Sequence, residues 1–293
     1  MRALIFLIRS VIYSNIFVSL CVTLLTHQSY ILLELPQKNK YFLLIFVFCA
    51  TYFTYNIQRI LRINYSELLG KQIGIRLSWI VRNRKILLLT SILASITCII
   101  MLFFLSFQLL KFIAPLAFLS IFYVVPFFNL NGKKIALRNY PYIKIIIIAI
   151  VWSFVTTALP FLNHSNDMFD YNQNFILLIT EQFLFILAIT LPFDIRDLRY
   201  DLAANVKTIP AKIGVKKTIV LSELLLVVFM ILKYYQLNLN HISYEQFTAT
   251  SIALFITGIL IAFSSPKRPE LFFSGLIEGT MVLMYLAVLI FEY

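Results

Sequence analysis

Residues 173–201 read QNFILLITEQFLFILAITLPFDIRDLRYD. Positions 173–193 form an apolar run long enough, at about 20 residues, to cross a bilayer as one helix. The run ends on Asp194-Ile195-Arg196-Asp197-Leu198-Arg199-Tyr200-Asp201, which puts three carboxylates on the lip of a membrane span. If the helix continues, steps of three, four and seven set Asp194, Asp197 and Asp201 along one stripe, while Arg196 and Arg199 point elsewhere. Like charges so spaced repel by a few tenths of a kcal/mol per pair. A divalent metal reverses that sign, because hard oxygen ligands on adjacent turns suit Mg²⁺ holding a phosphate group. The segment therefore reads as a site.

The rest of the chain agrees with a membrane fold. It is 61% hydrophobic with mean hydropathy +0.89 and 13% charged residues, where a soluble domain carries about a quarter. Apolar stretches of spanning length recur at 3–26, 40–61, 86–106, 108–128, 144–163, 173–193, 218–236, 247–264 and 271–291. The expectation is an all-α integral membrane protein, a bundle of about nine transmembrane helices around a central cavity, with residues 1–293 as one domain. Arg9 interrupts the first stretch and no small-residue cleavage pattern follows, which argues against a signal peptide.

The net charge of +12 follows topology and does not indicate nucleic acid. Basic residues cluster at Arg59–Lys85, Lys133–Lys144, Arg196–Lys217 and Lys267–Arg268, in every second connection. The alternate connections hold Lys38 and Lys40, then Asp167 and Asp170, then His241 and Glu245. By the positive-inside rule the expected location is the cell membrane, with the N-terminus and basic loops cytoplasmic and Tyr293 outside. Cys21, Cys49 and Cys98 lie within expected spans without metal-ligand spacing and read as packing residues. His27, His164 and His241 also lack partners at ligand spacing.

Downstream of the aspartates come Lys207-Thr208-Ile209-Pro210 and Gly214. A DxxxD pair, Asp197 and Asp201, preceded by Asp194 and followed by these residues, resembles the second aspartate-rich motif of UbiA-type membrane prenyltransferases. Tyr123, Pro126 and Lys133-Lys134, then Lys144, Trp152 and Pro160, are similar to the family's fourth loop and the helix after it. The resemblance implies a helical bundle in which two facing aspartate-rich motifs hold Mg²⁺ on the diphosphate of a polyprenyl donor. The prenyl tail then lies in an apolar tunnel open to lipid, and an isoprenyl group passes to a hydrophobic, typically aromatic, acceptor. By the same resemblance Asp197 and Asp201 are catalytic, Asp194, Asp197 and Asp201 are metal ligands, and Lys133, Lys134 and Lys207 bind diphosphate. Tyr123 is a hydroxyl donor or an ordinary interfacial tyrosine. The 28 Phe and 16 Tyr supply faces to line a tunnel and shield a cation, although membrane proteins favour aromatics anyway.

The first aspartate-rich motif departs from the family pattern. Asn56 is kept and is expected to bind the diphosphate, but the aspartate positions are Ile57, Ile60 and Asn64. Either Arg59, one turn from Asn56, grips phosphate as a bidentate donor, or Glu67 reaches back from the loop. The plain alternative is that Arg59 and Arg62 end the helix as positive-inside residues, and Lys133, Lys134 and Arg138 read equally as topology charges. Glu181 and Glu278 lie within expected spans, where an ionisable group defaults to a functional role, with partners unnamed. The leading expectation is a prenyltransferase. A non-catalytic relative that binds a prenyl lipid or scaffolds a complex is the alternative, followed by a transporter, which the scarcity of Gly, seven residues, disfavours.

Overall fold

The computed structural model describes residues 2–36, 39–68, 75–124, 128–130, 133–135, 140–164, 173–203 and 206–291. Its framework is helical. The helix carrying the aspartates, α9 in chain order, runs from Gln173 to Ala203 without a break, although Pro192 sits inside it. Its 31 residues make a rod of about 46 Å at 1.5 Å per residue, longer than the roughly 30 Å of bilayer hydrocarbon. The aspartates therefore ride on the turns that emerge beyond the apolar stretch.

The other helices, in order, are α1 (Arg2–Tyr13), α2 (Ile16–Leu32), α3 (Lys40–Leu68), α4 (Ile75–Arg82), α5 (Arg84–Leu102), α6 (Phe107–Val124), α7 (Pro141–Ser153), α8 (Leu159–His164), α10 (Ile209–Ile213), α11 (Val215–Asn238), α12 (Tyr244–Ala262) and α13 (Glu278–Leu289). Two π-helical turns, Phe154–Ala158 and Phe272–Ile277, join α7 to α8 and lead into α13. Pro160 lacks the N–H that would bond the Thr156 carbonyl, and the chain widens into the first π turn just ahead of it. A Ser243/Gln246 capping box starts α12.

Among the described residues, six helices are long and apolar enough to cross a membrane, or seven when the bent pair α1–α2 counts as one span. The expectation of nine is not reached on length and apolarity: the first apolar stretch is bent by 68°, α6 is a shorter apolar helix over Phe107–Tyr123, and α11 is not among the six. The expectation of an all-α chain meets one small exception. Phe128–Leu130 (β1) and Lys133–Ile135 (β2) pair antiparallel, with Asn129 opposite Lys134.

Two apolar cores hold the bundle together. One packs Leu25 of α2 and Ala149 of α7 among Phe185, Ile189, Phe229 and Met281, from α9, α11 and α13. The other packs Val22 and Tyr30 of α2 with Leu43 and Val47 of α3, Leu109 of α6 and Leu162 of α8. Trp152 touches both. On α5, Ile86, Leu89, Leu93, Ile96 and Ile100 face outward at helical spacing, as a lipid-facing stripe does.

Candidate functional site

Because α9 continues past its apolar run, its helical period brings the aspartates to one side. Asp194 is fully buried, and Lys144 Nζ of α7 donates to its Oδ1 at 2.6 Å. Its Oδ2 has no hydrogen-bond partner, and neither does Oδ2 of Asp201. Asp197 is engaged differently: Arg196 forks onto it, Nε to Oδ1 at 2.8 Å and Nη2 to Oδ2 at 3.0 Å. Arg196 was expected to point away from the stripe. Helical phase does separate neighbouring positions, but the long side chain folds back, stacked at 5.0 Å over Phe193 and 6.0 Å over Phe273.

The third guanidinium nitrogen of Arg196, Nη1, donates to Glu270 Oε1 at 3.1 Å, and Arg76 Nη1 of α4 donates to the same oxygen at 2.8 Å. Arg76 also donates to Ser274 Oγ at 2.7 Å and, through Nη2, to Asn15 Oδ1 at 2.9 Å. Burial alone would raise the Glu270 carboxyl, but Arg196 and then Arg76 outweigh it and hold the group below the usual carboxylate range. The relay continues from Asn15 Nδ2 to Asn56 Oδ1 at 2.9 Å. Asn56 Nδ2 in turn donates to the carbonyls of Ser14 at 3.1 Å and Tyr52 at 3.0 Å. Asn56 is 1% exposed, and its amide ties α3 to the break between α1 and α2.

A cavity of about 240 Å³ opens against this relay, lined by Arg59, Arg76, Lys144, Arg196, Asp194, Asp197 and Glu278 together with Tyr55, Tyr123 and Trp152. A second cavity, of about 660 Å³, is almost wholly apolar, with Phe46, Val47, Ala50, Ile113, Leu116 and Val155 in its walls. Thr54, Tyr55, Gln58, Ser120, Val151 and Trp152 line both. Tyr55 and Trp152 meet edge to face there, 6.3 Å between centroids. A charged chamber thus adjoins an oily one, as an amphiphile with an anionic head and an apolar tail requires.

The residues singled out from sequence fall into three groups. Arg59, Asp194 and Asp197 line the charged cavity together, and Tyr123 joins them. Asp201 stands on the last turn of α9, Lys207 is exposed on the connection after it, and Asn56 is enclosed in the relay. Lys133 and Lys134 lie on β2, but their side chains fall outside the described residues, as do those of Arg62, Asn64, Glu67 and Arg138. Glu278 gains a place in the cavity wall. Glu181 gains a partner elsewhere: Lys233 Nζ donates to its Oε2 at 3.0 Å and to Gln236 Oε1 at 2.8 Å. Sequence reasoning missed Arg76, Glu270 and Asn15. Glu270 alone left a signal, an acid within an otherwise basic connection.

For a metal ion the two walls differ. The orphaned carboxyl oxygens of Asp194 and Asp201 on α9 are of the hard type that suits such a cation. The α3 wall offers Arg59 instead of carboxylates, and among the described residues no group of three or more His, Cys, Asp or Glu is set to hold a metal. The fit is therefore to one wall.

No protein of curated function matches the chain in sequence. Solved structures do match its fold. A UbiA homologue from Aeropyrum pernix K1 aligns over 97% of this chain and 98% of its own, at TM-score 0.65 and 13% identity. A UbiA homologue from Archaeoglobus fulgidus, bound to GPP and Mg²⁺, aligns over 95% and 98%, at TM-score 0.62 and 11% identity. A digeranylgeranylglyceryl phosphate synthase aligns over 97% and 98%, at TM-score 0.59 and 16% identity. Residues 80–281, which include α9 and most of the cavity lining, match the profile of the UbiA prenyltransferase family, and the chain, a multi-pass membrane protein, belongs to that family.

Proposed function

We propose that this protein transfers an isoprenyl group from a polyprenyl diphosphate to a lipophilic acceptor, an aromatic one in the first instance. The observation that carries the reading is the joining of the two chambers at Tyr55 and Trp152, charged on the α9 side and apolar beyond. The structural relative bound to GPP and Mg²⁺ supports an isoprenyl diphosphate as donor. Its head fits the charged cavity, where Arg59 and Lys144 face it, and its tail fits the apolar one. In the reaction the allylic carbon–oxygen bond to the diphosphate breaks, the acceptor bonds to that carbon, and the acceptor's proton leaves. Asp194 and Asp201, with Asp197, are the residues to hold Mg²⁺, which when bound supplies charge neutralisation on the leaving diphosphate. Lys144 donates to the buried Asp194 and holds its carboxyl oriented toward that head. Lys133, Lys134 and Lys207 are proposed to bind the diphosphate as well.

Residues 1–293 form one domain in this reading, lying in the cell membrane with the N-terminus and basic connections cytoplasmic and Tyr293 outside. A second reading, a non-catalytic prenyl-lipid-binding or scaffold protein, draws on Arg196, which occupies both oxygens of Asp197. Transfer assays with isoprenyl diphosphates and lipid extracts as acceptors separate the two. Prenyl transfer that needs Mg²⁺ and falls at least about 100-fold in Asp197→Ala and Asp201→Ala is the expected outcome. Donor binding without transfer favours the second reading, and no donor binding with both variants indistinguishable from the parent sinks the first.

A further inference from the structure

The charged cavity is lined by four cations, Arg59, Arg76, Lys144 and Arg196, against three carboxylates, Asp194, Asp197 and Glu278. Two of those carboxylates are already held by the protein's own cations, Asp194 by Lys144 and Asp197 by Arg196. A divalent ion arriving alone must displace a two-point guanidinium contact from Asp197, a strong charge-assisted arrangement, and meets no preformed group of three ligands among the described residues. An anion arriving alone meets the reverse situation. Arg76 is 7% exposed, lines the cavity, and its Nε is a buried donor with no acceptor. Such a donor is costly to leave unsatisfied. Arg76 and Arg196 converge on one oxygen of Glu270, which sets two guanidiniums side by side on the cavity wall.

We propose that the diphosphate head binds first and without metal, gripped by Arg59, Arg76 and Arg196, and that the metal enters only after Arg196 has exchanged Asp197 for phosphate. This deepens the prenyltransferase reading and rests on it. The exchange is chemically even, because a phosphate offers the same pair of acceptor oxygens to the fork of Arg196 as a carboxylate does. It withdraws the guanidinium of Arg196 from both oxygens of Asp197, beside the orphaned Oδ2 of Asp194. Throughout, Nη1 of Arg196 stays on Glu270, which makes Glu270 a positioning residue for both arginines.

The test uses the full chain in detergent. Inorganic pyrophosphate is titrated calorimetrically in EDTA and in Mg²⁺, and protein-bound Mn²⁺ is counted by equilibrium dialysis with and without pyrophosphate on both sides. The expected result is pyrophosphate binding that survives EDTA and Mn²⁺ binding that requires pyrophosphate. In EDTA, Arg196→Lys weakens pyrophosphate by at least about tenfold, the worth of one charge-assisted hydrogen bond, while Asp197→Asn tightens it by releasing Arg196. Mn²⁺ bound tightly without pyrophosphate, or pyrophosphate binding abolished by EDTA but intact in Mg²⁺, overturns the proposal and leaves the prenyltransferase reading standing. Absence of binding by both pyrophosphate and geranyl diphosphate in both media overturns the two together.

Discussion

Glu270 holds two guanidiniums on one oxygen, and its side chain is 30% exposed, so its ionisation is open to the medium. Its carboxyl lies below the usual range because Arg196 and Arg76 overcome the effect of burial. A depressed carboxylate pKa contributes stability in full above the unfolded value, about 4.3 for Glu. That stability is lost as pH falls through the folded value. Thermal unfolding of the detergent-solubilised protein from about pH 7 down to about pH 3 is therefore expected to show a steeper loss in the parent than in Glu270→Gln. Near neutral pH the variant is less stable from the start, since both arginines lose their shared anion. Identical acid limbs would show that the relay does not tie Glu270 to folding. Beyond the oddity of an acid in a basic connection, none of this was legible beforehand. The aspartate stripe was, because helical phase is a local property, whereas the return of Arg196 onto Asp197 depends on Phe273 and Glu270 from a segment more than 70 positions away.

Elements show the same division. The continuation of α9 through its aspartates could be read from spacing, since nothing in Asp194–Asp201 stops a helix and the apolar run sets its phase. The break between α1 and α2 could not. Its cause is Asn15, which adopts left-handed φ of 67° and whose amide is buried between Asn56 and Arg76. Asparagine tolerates that conformation better than other side chains, and its two hydrogen bonds each add about 1 kcal/mol. Asn15→Ala should therefore destabilise by about 2–4 kcal/mol, joining the backbone penalty to the lost bonds. Asn15→Gly restores the backbone freedom only and should fall between the two. Melting followed by circular dichroism gives the ranking, and an alanine variant as stable as the glycine variant would contradict a strained turn. Since the same amide orients Arg76, the break is also how a remote helix end helps to shape the cavity.

At the scale of the whole molecule, a charged chamber adjoins an oily one, and Trp152, packed against both apolar cores, lines each chamber. Composition established that the chain is membranous, and the aspartates located the charged end. The apolar chamber was foreshadowed by the family resemblance and by the wealth of aromatics, but its walls were not, because a cavity is a relation between helices and no single segment encodes it. Its walls nevertheless make a claim about donor length. Ala50 of α3 lines the apolar chamber and does not line the charged one. Ala50→Phe puts a ring where the outer part of a prenyl tail is proposed to lie and leaves the seats of the diphosphate untouched. Overpacking of this kind costs about 1–3 kcal/mol, which corresponds to a loss of about 5- to 150-fold in affinity. That loss should fall on long isoprenyl diphosphates alone, with dimethylallyl diphosphate bound as by the parent. Competition binding across donors of increasing length reads the outcome directly. Equal weakening of short and long donors would mean that the tail leaves the charged chamber by another route, and Tyr55 and Trp152 would then close a wall instead of framing a passage.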